Sequence, residues 1–128
     1  HGSTFGGNPL AMRSANAVLD LLLEDGFLKS LREKITYFDN KMNTLISDDK
    51  KESSIILSKK GSGMLRGFEL IENIAASDFG NISREKGLLL VGAAENTIRL
   101  LPPLNTFKEE IDQSFEILSE VIKEIKKN

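Results

Sequence analysis

Residues 1–12 read His-Gly-Ser-Thr-Phe-Gly-Gly-Asn-Pro-Leu-Ala-Met and mark the point at which the first helix begins. The Gly6-Gly7 pair allows the backbone to take a positive φ and to approach a ligand closely. Asn8 is a favourable N-cap, and Pro9 suits the first helical position because its missing N–H would have no partner there. The Ser3-Thr4 hydroxyls therefore precede a helix N-terminus, where partial positive charge favours anions. The pattern is typical of either a capped surface turn or an anion-binding loop.

Two amphipathic helices are predicted after this stretch. Apolar residues recur every three or four positions over 9–23 on a broad face, which indicates a helix covered on more than one side. Asp25-Gly26 interrupts the pattern. A second helix is predicted from Phe27 to Leu45, where apolar side chains form an almost unbroken stripe at the same spacing. The polar run 47–53 is predicted to be a loop.

The remaining sequence favours a sheet with two further helices. Strands are predicted at 54–58, 64–70, 88–91 and 97–101, with turns at 59–63 and 92–96. Residues 74–86 suit a helix, although Gly80 weakens that prediction, and Gly87 would end it. Thr106 and Glu109 have the spacing of a capping box at the start of a last helix.

The order of these elements predicts an α+β fold. We expect a two-layer small domain with a mostly antiparallel sheet of about four strands and helices on one face, preceded by a helical crossover segment.

Composition excludes several classes of function. The chain has 128 residues, 40% of them hydrophobic and 28% charged, with a net charge of -2 and no basic stripe, which argues against nucleic-acid binding. It contains no cysteine and one histidine, so no disulfide, His-based triad or metal cluster is predicted. No apolar run approaches the ~20 residues of a membrane span. Because the chain starts with His1 inside a motif, it is interpreted as the C-terminal part of a longer protein.

Arg99 lies in Thr97-Ile-Arg-Leu-Leu-Pro-Pro-Leu104, a strand that is otherwise apolar. An arginine among such neighbours needs a partner, because an unpaired buried charge is costly. Its planar fork suits a carboxylate bound through two hydrogen bonds. An internal ion pair, for which Glu69 is one candidate acceptor, or a position at the sheet edge would also account for it.

Residues 1–11 resemble the segment H-G-[ST]-T-[FY]-G-G-N-P-L-A of class III pyridoxal-phosphate aminotransferases, the group of acetylornithine and ornithine aminotransferases. Residues 97–104 resemble the segment of that family whose arginine holds the substrate carboxylate. Residues 61–70 resemble its R-G-x-G-L-x-x-G-x-E-L strand, although Lys60 stands where the family has arginine. A lysine cannot replace a bidentate arginine, so the contact of that arginine is in doubt.

The resemblance implies a role for three residues. Thr4 would bind the phosphate of pyridoxal 5'-phosphate in the active site of a neighbouring subunit, and Ser3 would lie beside the cofactor and the substrate. Arg99 would bind the substrate carboxylate. The Schiff-base lysine and the acidic partner of the pyridine nitrogen lie upstream in the family. No catalytic residue is therefore assigned here, and the isolated chain is expected to be inactive.

The resemblance also implies an organisation and a function. Residues 1–8 would form the cofactor-phosphate and dimer-interface loop, 9–47 the helical crossover segment and 54–128 the C-terminal small domain. The whole enzyme would be a cytoplasmic homodimer, joined through the loop and first helix, that transfers an ω-amino group to 2-oxoglutarate. The amino donor is left open between acetylornithine, succinylornithine, ornithine and other ω-amines. The alternative is a non-catalytic remnant or dimerisation module from a truncated aminotransferase gene.

Overall fold

The computed structural model describes residues 2–51 and 53–127. The outermost residues of the predicted loop and small domain, His1 and Asn128, lie outside this range. The chain divides into two compact units, His1–Glu33 and Lys34–Asn128, each of which is described by itself.

The first unit contains an exposed loop followed by helix α1 (Pro9–Leu23) and the first turns of helix α2 (Phe27–Asp49). The predicted start of α1 is confirmed: Asn8 Oδ1 accepts hydrogen bonds from the N–H groups of Leu10 at 3.0 Å and Ala11 at 3.2 Å. None of the residues of α1 is buried, although we expected its broad apolar face to be covered. Its large apolar side chains are exposed at Leu10, Met12, Val18, Leu19, Leu21 and Leu23.

The second unit contains the remainder of α2 and an antiparallel sheet. Its strands are β1 (Ile56–Ser62), β2 (Leu65–Leu70), β3 (Val91–Ala93) and β4 (Thr97–Leu100), in the spatial order β1-β2-β4-β3. Its other helices are α3 (Ala76–Glu85) and α4 (Lys108–Ile125). All three strand pairs are antiparallel. The predicted α+β fold is therefore confirmed.

The core of this unit lies between one face of the sheet and the helices. Phe68, Leu70, Ile98 and Leu100 are the buried apolar side chains of the two central strands. They belong to one cluster with buried residues of α2, α3 and α4. Two edge-to-face ring pairs strengthen this packing: Phe38 meets Phe115 with centroids 5.4 Å apart, and Phe68 meets Phe79 at 5.5 Å.

The connection between α2 and β1 differs from the prediction. The helix continues to Asp49, inside the predicted loop, because the Asp49 carboxylate accepts hydrogen bonds from the N–H groups of Ile55 and Ile56. Strand β1 then runs to Ser62, through most of the predicted turn. Gly61 makes this hairpin feasible: its φ is +87°, and a Cβ at this position would lie 2.2 Å from the Leu65 carbonyl oxygen.

Two other boundaries also differ. Of the predicted strand 88–91 only Val91 is in β3, because Leu88 completes the end of α3. The Leu88 N–H donates to the Ser83 carbonyl, and the Leu88 carbonyl accepts from the Ser83 hydroxyl. Helix α4 begins one residue later than the capping-box spacing implied. Its capping carboxylate is therefore Glu110 rather than Glu109, and it accepts from the Phe107 N–H at 2.7 Å.

Candidate functional site

The loop before α1 presents its polar groups at the surface. All its described residues, 2–8, are exposed, and the ring of Phe5 is 82% exposed. The Ser3 hydroxyl accepts a hydrogen bond from the Phe5 N–H at 3.3 Å, and the Ser3 carbonyl accepts from the Gly6 N–H at 3.1 Å. A tight turn therefore forms around Ser3 and leaves Thr4 at its outer corner.

Thr4, like Ser3, presents an exposed hydroxyl. Its hydroxyl has no hydrogen-bond partner among the residues that the structure describes, so its donor is available. The first N–H groups of α1 are already satisfied, because Asn8 accepts from Leu10 and Ala11. We expected the helix N-terminus itself to favour an anion; in the structure Asn8 already occupies the N–H groups of Leu10 and Ala11.

Arg99 lies in the second unit on the central strand β4, where it pairs with Gly67 of β2 and Val91 of β3. The edge position considered for it is therefore wrong. The side chain is exposed, and no carboxylate of residues 2–51 or 53–127 forms an ion pair with it. A planar guanidinium in this state can receive a carboxylate through two hydrogen bonds.

Glu69 is not the partner of Arg99 or of Arg66. It accepts a hydrogen bond from the Ser58 hydroxyl at 2.9 Å and pairs with Lys60 at 3.2 Å. These two contacts, that of Ser58 first, hold the pKa of Glu69 below its usual value. Arg66 instead pairs with Asp39 of α2 at 2.8 Å.

A groove of about 440 Å³ opens next to Arg99, within the second unit. Its walls come from the segment before β3, the segment after β4 and the start of α4. Leu89 is 79% exposed and Phe107 70% exposed on these walls. The lining is mostly apolar and also includes two residues of opposite charge, Arg99 and Glu110.

Asn96 is the structural residue that the sequence reasoning missed. It lies in the turn between β3 and β4 with φ of +49° and binds backbone groups of the segment between β2 and α3 and of the first residue of α3. Its identity as the asparagine that ends the predicted turn 92–96 is the only signal in the sequence, and it does not reveal these distant partners.

Neither a metal cluster nor a membrane-spanning helix is found where the chain is described. No group of three or more His, Cys, Asp or Glu side chains is arranged to hold a metal ion. No helix there is both long and apolar enough to cross a bilayer.

Comparison with known proteins identifies the family. The model of the family described as aminotransferase class-III matches residues 1–122. The chain belongs to the class-III aminotransferases. This match includes the Ser3-Thr4 loop and Arg99, and proteins of this family depend on pyridoxal phosphate.

Relatives within the class-III aminotransferases agree with this assignment. The chain is 38% identical to the acetylornithine aminotransferase of Caldanaerobacter subterraneus subsp. tengcongensis over 98% of its own length and 31% of that protein. It is 37% identical to the acetylornithine aminotransferase of Streptococcus mutans, over 97% of its own length and 31% of that protein. The chain thus spans about a third of the length of these curated relatives.

Solved class-III structures share the fold. The structure of the acetylornithine aminotransferase of Elizabethkingia anophelis superposes with a TM-score of 0.80 and 30% sequence identity. The match covers 97% of this chain and 32% of that protein's chain. The structure of the ornithine δ-aminotransferase of Plasmodium falciparum superposes with a TM-score of 0.83 and 28% sequence identity. The match covers all of this chain and 32% of that protein's chain.

Proposed function

We propose that this chain is the C-terminal part of an acetylornithine-type aminotransferase, which transfers a terminal amino group from the donor to 2-oxoglutarate. The observation that carries the proposal is the similarity to acetylornithine aminotransferases over nearly the whole chain. In the complete enzyme we expect a homodimer joined through the loop and α1. The exposed apolar side chains of Phe5 and α1 support that interface.

The loop fits one part of a cofactor-phosphate site. The exposed Thr4 hydroxyl can donate one hydrogen bond to a phosphate oxygen, and Ser3 fixes the turn that presents it. Residues 1–12 contain no lysine or arginine, so the charge of the phosphate must be balanced by groups elsewhere. When bound, pyridoxal phosphate supplies an electron sink for the amino-transfer chemistry, and this chain contributes binding and orientation. None of its lysines has the surroundings expected of the covalent attachment site, so the 128-residue chain alone should be inactive.

Replacing Thr4 by alanine in the full-length protein should weaken cofactor binding about tenfold, because a hydrogen bond to a charged group is lost. Thr4→Ser keeps the hydroxyl and should retain most of the affinity. Equilibrium dialysis of pyridoxal phosphate measures both variants. Equal affinity of Thr4→Ala and the unaltered protein would remove Thr4 from the phosphate site.

Arg99 provides the test of the proposed reaction. With acetylornithine and 2-oxoglutarate as substrates, Arg99→Ala should raise the KM for the carboxylate substrates about ten- to a hundredfold, because the bidentate partner of the carboxylate is lost. Arg99→Lys should recover only part of this loss, since a lysine is a point charge.

The matched control is Arg84→Ala, which removes an exposed arginine from α3 and should leave KM unchanged. A normal KM for Arg99→Ala would exclude its role. A full-length protein with no activity toward acetylornithine would overturn the proposed donor.

A further inference from the structure

The sheet has a second face, opposite the helices, on which three charged side chains lie together. Along β2 and β4 the buried apolar side chains alternate with the other residues, so that Phe68, Leu70, Ile98 and Leu100 point to the core. Arg99 and Glu69 therefore point to the opposite face. Lys60 of β1 contacts Glu69 and so belongs to the same face.

The register places Glu69 between two cations. Lys60, Gly67 and Arg99 are successive partners across β1, β2 and β4, and Glu69 follows Gly67 by two residues on β2. Glu69 is thus a diagonal neighbour of both Lys60 and Arg99. Diagonal neighbours on one face of an antiparallel pair lie about 7–8 Å apart, which long charged side chains can bridge. Glu69 could therefore pair with either cation.

In the structure Glu69 is committed to Lys60. The two side chains are 3.2 Å apart, and the Ser58 hydroxyl fixes the same carboxylate oxygen. Lys60 also pairs with Glu95 of the turn before β4, so its ammonium holds two carboxylates at once. Arg99 has no ion-pair partner among the described residues, although Glu69 is its diagonal neighbour.

Gly67 keeps the space next to Arg99 free of side chains. A Cβ at this position would lie 2.8 Å from the Ile98 carbonyl oxygen and 3.0 Å from Cγ2 of Thr97, so the close approach of β2 and β4 excludes a larger residue. Gly67 lies between Lys60 and Arg99 in the register, so no side chain stands between the two cations at this position.

We propose that Lys60 is a positioning residue for Arg99: by holding the Glu69 carboxylate, it prevents Glu69 from pairing with Arg99 and leaves the guanidinium open to the carboxylate of a ligand. This role rests on the carboxylate-binding function proposed for Arg99. It also assigns a contact to the lysine that replaces the arginine of the family pattern.

Lys60→Met tests this role, because it removes the ammonium and keeps most of the side-chain stem. In this variant Glu69 should turn to Arg99. The side-chain Nε–H of Arg99, followed by nitrogen-15 NMR on the 128-residue chain without ligand, should then exchange with water about three- to fivefold more slowly, as expected for a surface ion pair. Lys60→Arg should keep the exchange rate of the unaltered chain, because arginine also pairs with carboxylates.

Two double variants separate pairing from a simple change of charge. Lys60→Met with Glu69→Gln and Lys60→Met with Glu95→Gln both restore the original net charge. Only the first removes the diagonal neighbour of Arg99, because Glu95 lies in the turn before β4 rather than on β2 beside Arg99. The fast exchange should therefore return only with Glu69→Gln. Lys59→Met is the matched single control, since Lys59 pairs with Asp39 of α2 on the other face.

The outcomes are distinct. Unchanged exchange in Lys60→Met, or equal recovery in the two double variants, would overturn the positioning role. Slower exchange in Lys60→Met that is reversed only by adding Glu69→Gln would support it. The NMR readout needs no ligand, so it is independent of the KM measured for Arg99→Ala. If KM is unaffected by Arg99→Ala while exchange behaves as expected, the proposed function fails rather than the pairing.

Discussion

Asp49→Ala should lower the free energy of unfolding by about 3–5 kcal/mol, the range found when one partner of a buried ion pair is removed. The Asp49 side chain is fully buried, and Lys126 of α4, with which it pairs at 2.8 Å, is 12% exposed. The carboxylate also accepts hydrogen bonds from the N–H groups of Ile55 and Ile56. The substitution would leave two N–H groups without their acceptor, and the Lys126 ammonium would lose the carboxylate and keep the backbone carbonyl of residue 49. Since domains of this size are stable by only about 5–15 kcal/mol, the loss is large.

The same pair makes stability depend on pH. Burial raises the pKa of Asp49, but the Lys126 ammonium, the N–H groups of Ile56 and Ile55 and the Ser54 hydroxyl outweigh it, so the pKa lies below its usual value. The unfolded chain therefore takes up a proton at a higher pH than the folded chain. The stabilisation is complete above the usual aspartate pKa of about 4 and is lost as the pH falls through the lower folded-state value.

Urea unfolding at pH 7 and at pH values from 5 downward measures both effects. The matched control is Asp48→Ala, one residue away, because Asp48 pairs with Lys51 at the surface and should contribute less than about 1 kcal/mol. Lys126→Met should also destabilise the protein, and the cost of the double variant should be less than the sum of the two single costs. Equal stability of the Asp49→Ala and Asp48→Ala proteins would contradict this account.

Asn96→Ala should lower the free energy of unfolding by about 3 kcal/mol, because it strains a positive φ and leaves three half-buried polar groups without their partner, where a fully buried one costs about 1–3 kcal/mol. Asn96 Oδ1 accepts from the Ala76 N–H at 2.9 Å, while Nδ2 donates to the carbonyls of Ile74 at 2.8 Å and Ile71 at 3.1 Å. The N-cap residue of α3, Ala75, has no side chain that could cap the helix. Asn96 supplies that cap from a distant turn.

Asn96→Gly separates the two contributions of this residue. Asn96 has a positive φ, which alanine adopts at a cost of about 1–2 kcal/mol and glycine adopts readily. Asn96→Gly should therefore recover about that amount and still lack the hydrogen bonds. Hydrogen exchange of the Ala76 amide provides a local readout and should be faster in both variants. Protection equal to that of the unaltered chain would mean that Asn96 is not the cap of α3.

The predictable parts of the fold are those with local causes. The start of α1 follows from Asn8 and Pro9, whose effects act within three residues, and the apolar spacing of α2 and α4 identifies their buried faces. The errors fall where distant groups decide the outcome. Asp49 extends α2 because strand β1 supplies its partners, and Leu88 leaves the predicted strand because Ser83 uses its backbone groups.

In the candidate site, too, some features follow from the local sequence and others depend on residues that are distant in the sequence. The amino-acid sequences of the loop, residues 1–11, and of the Arg99 strand, residues 97–104, were sufficient to recognise the family, and the family match confirms it. The roles of Ser3, Thr4 and Arg99 stay predictions. The choice of Glu69 between two cations depends on strand order and register, which place β2 between β1 and β4. A single sequence does not specify that order, so Lys60 could not be connected with Arg99 before the sheet was known.

The bare position at Gly67 has a consequence for engineering this surface. Mutant libraries directed at the surroundings of Arg99 should keep Gly67, since even a methyl group there would push β2 away from β4 and displace the guanidinium with it. Val91 faces Arg99 from the other side on an edge strand, and its side chain is exposed. Diversity introduced at Val91 would reshape the surroundings of Arg99 while the spacing of the central strands stays intact.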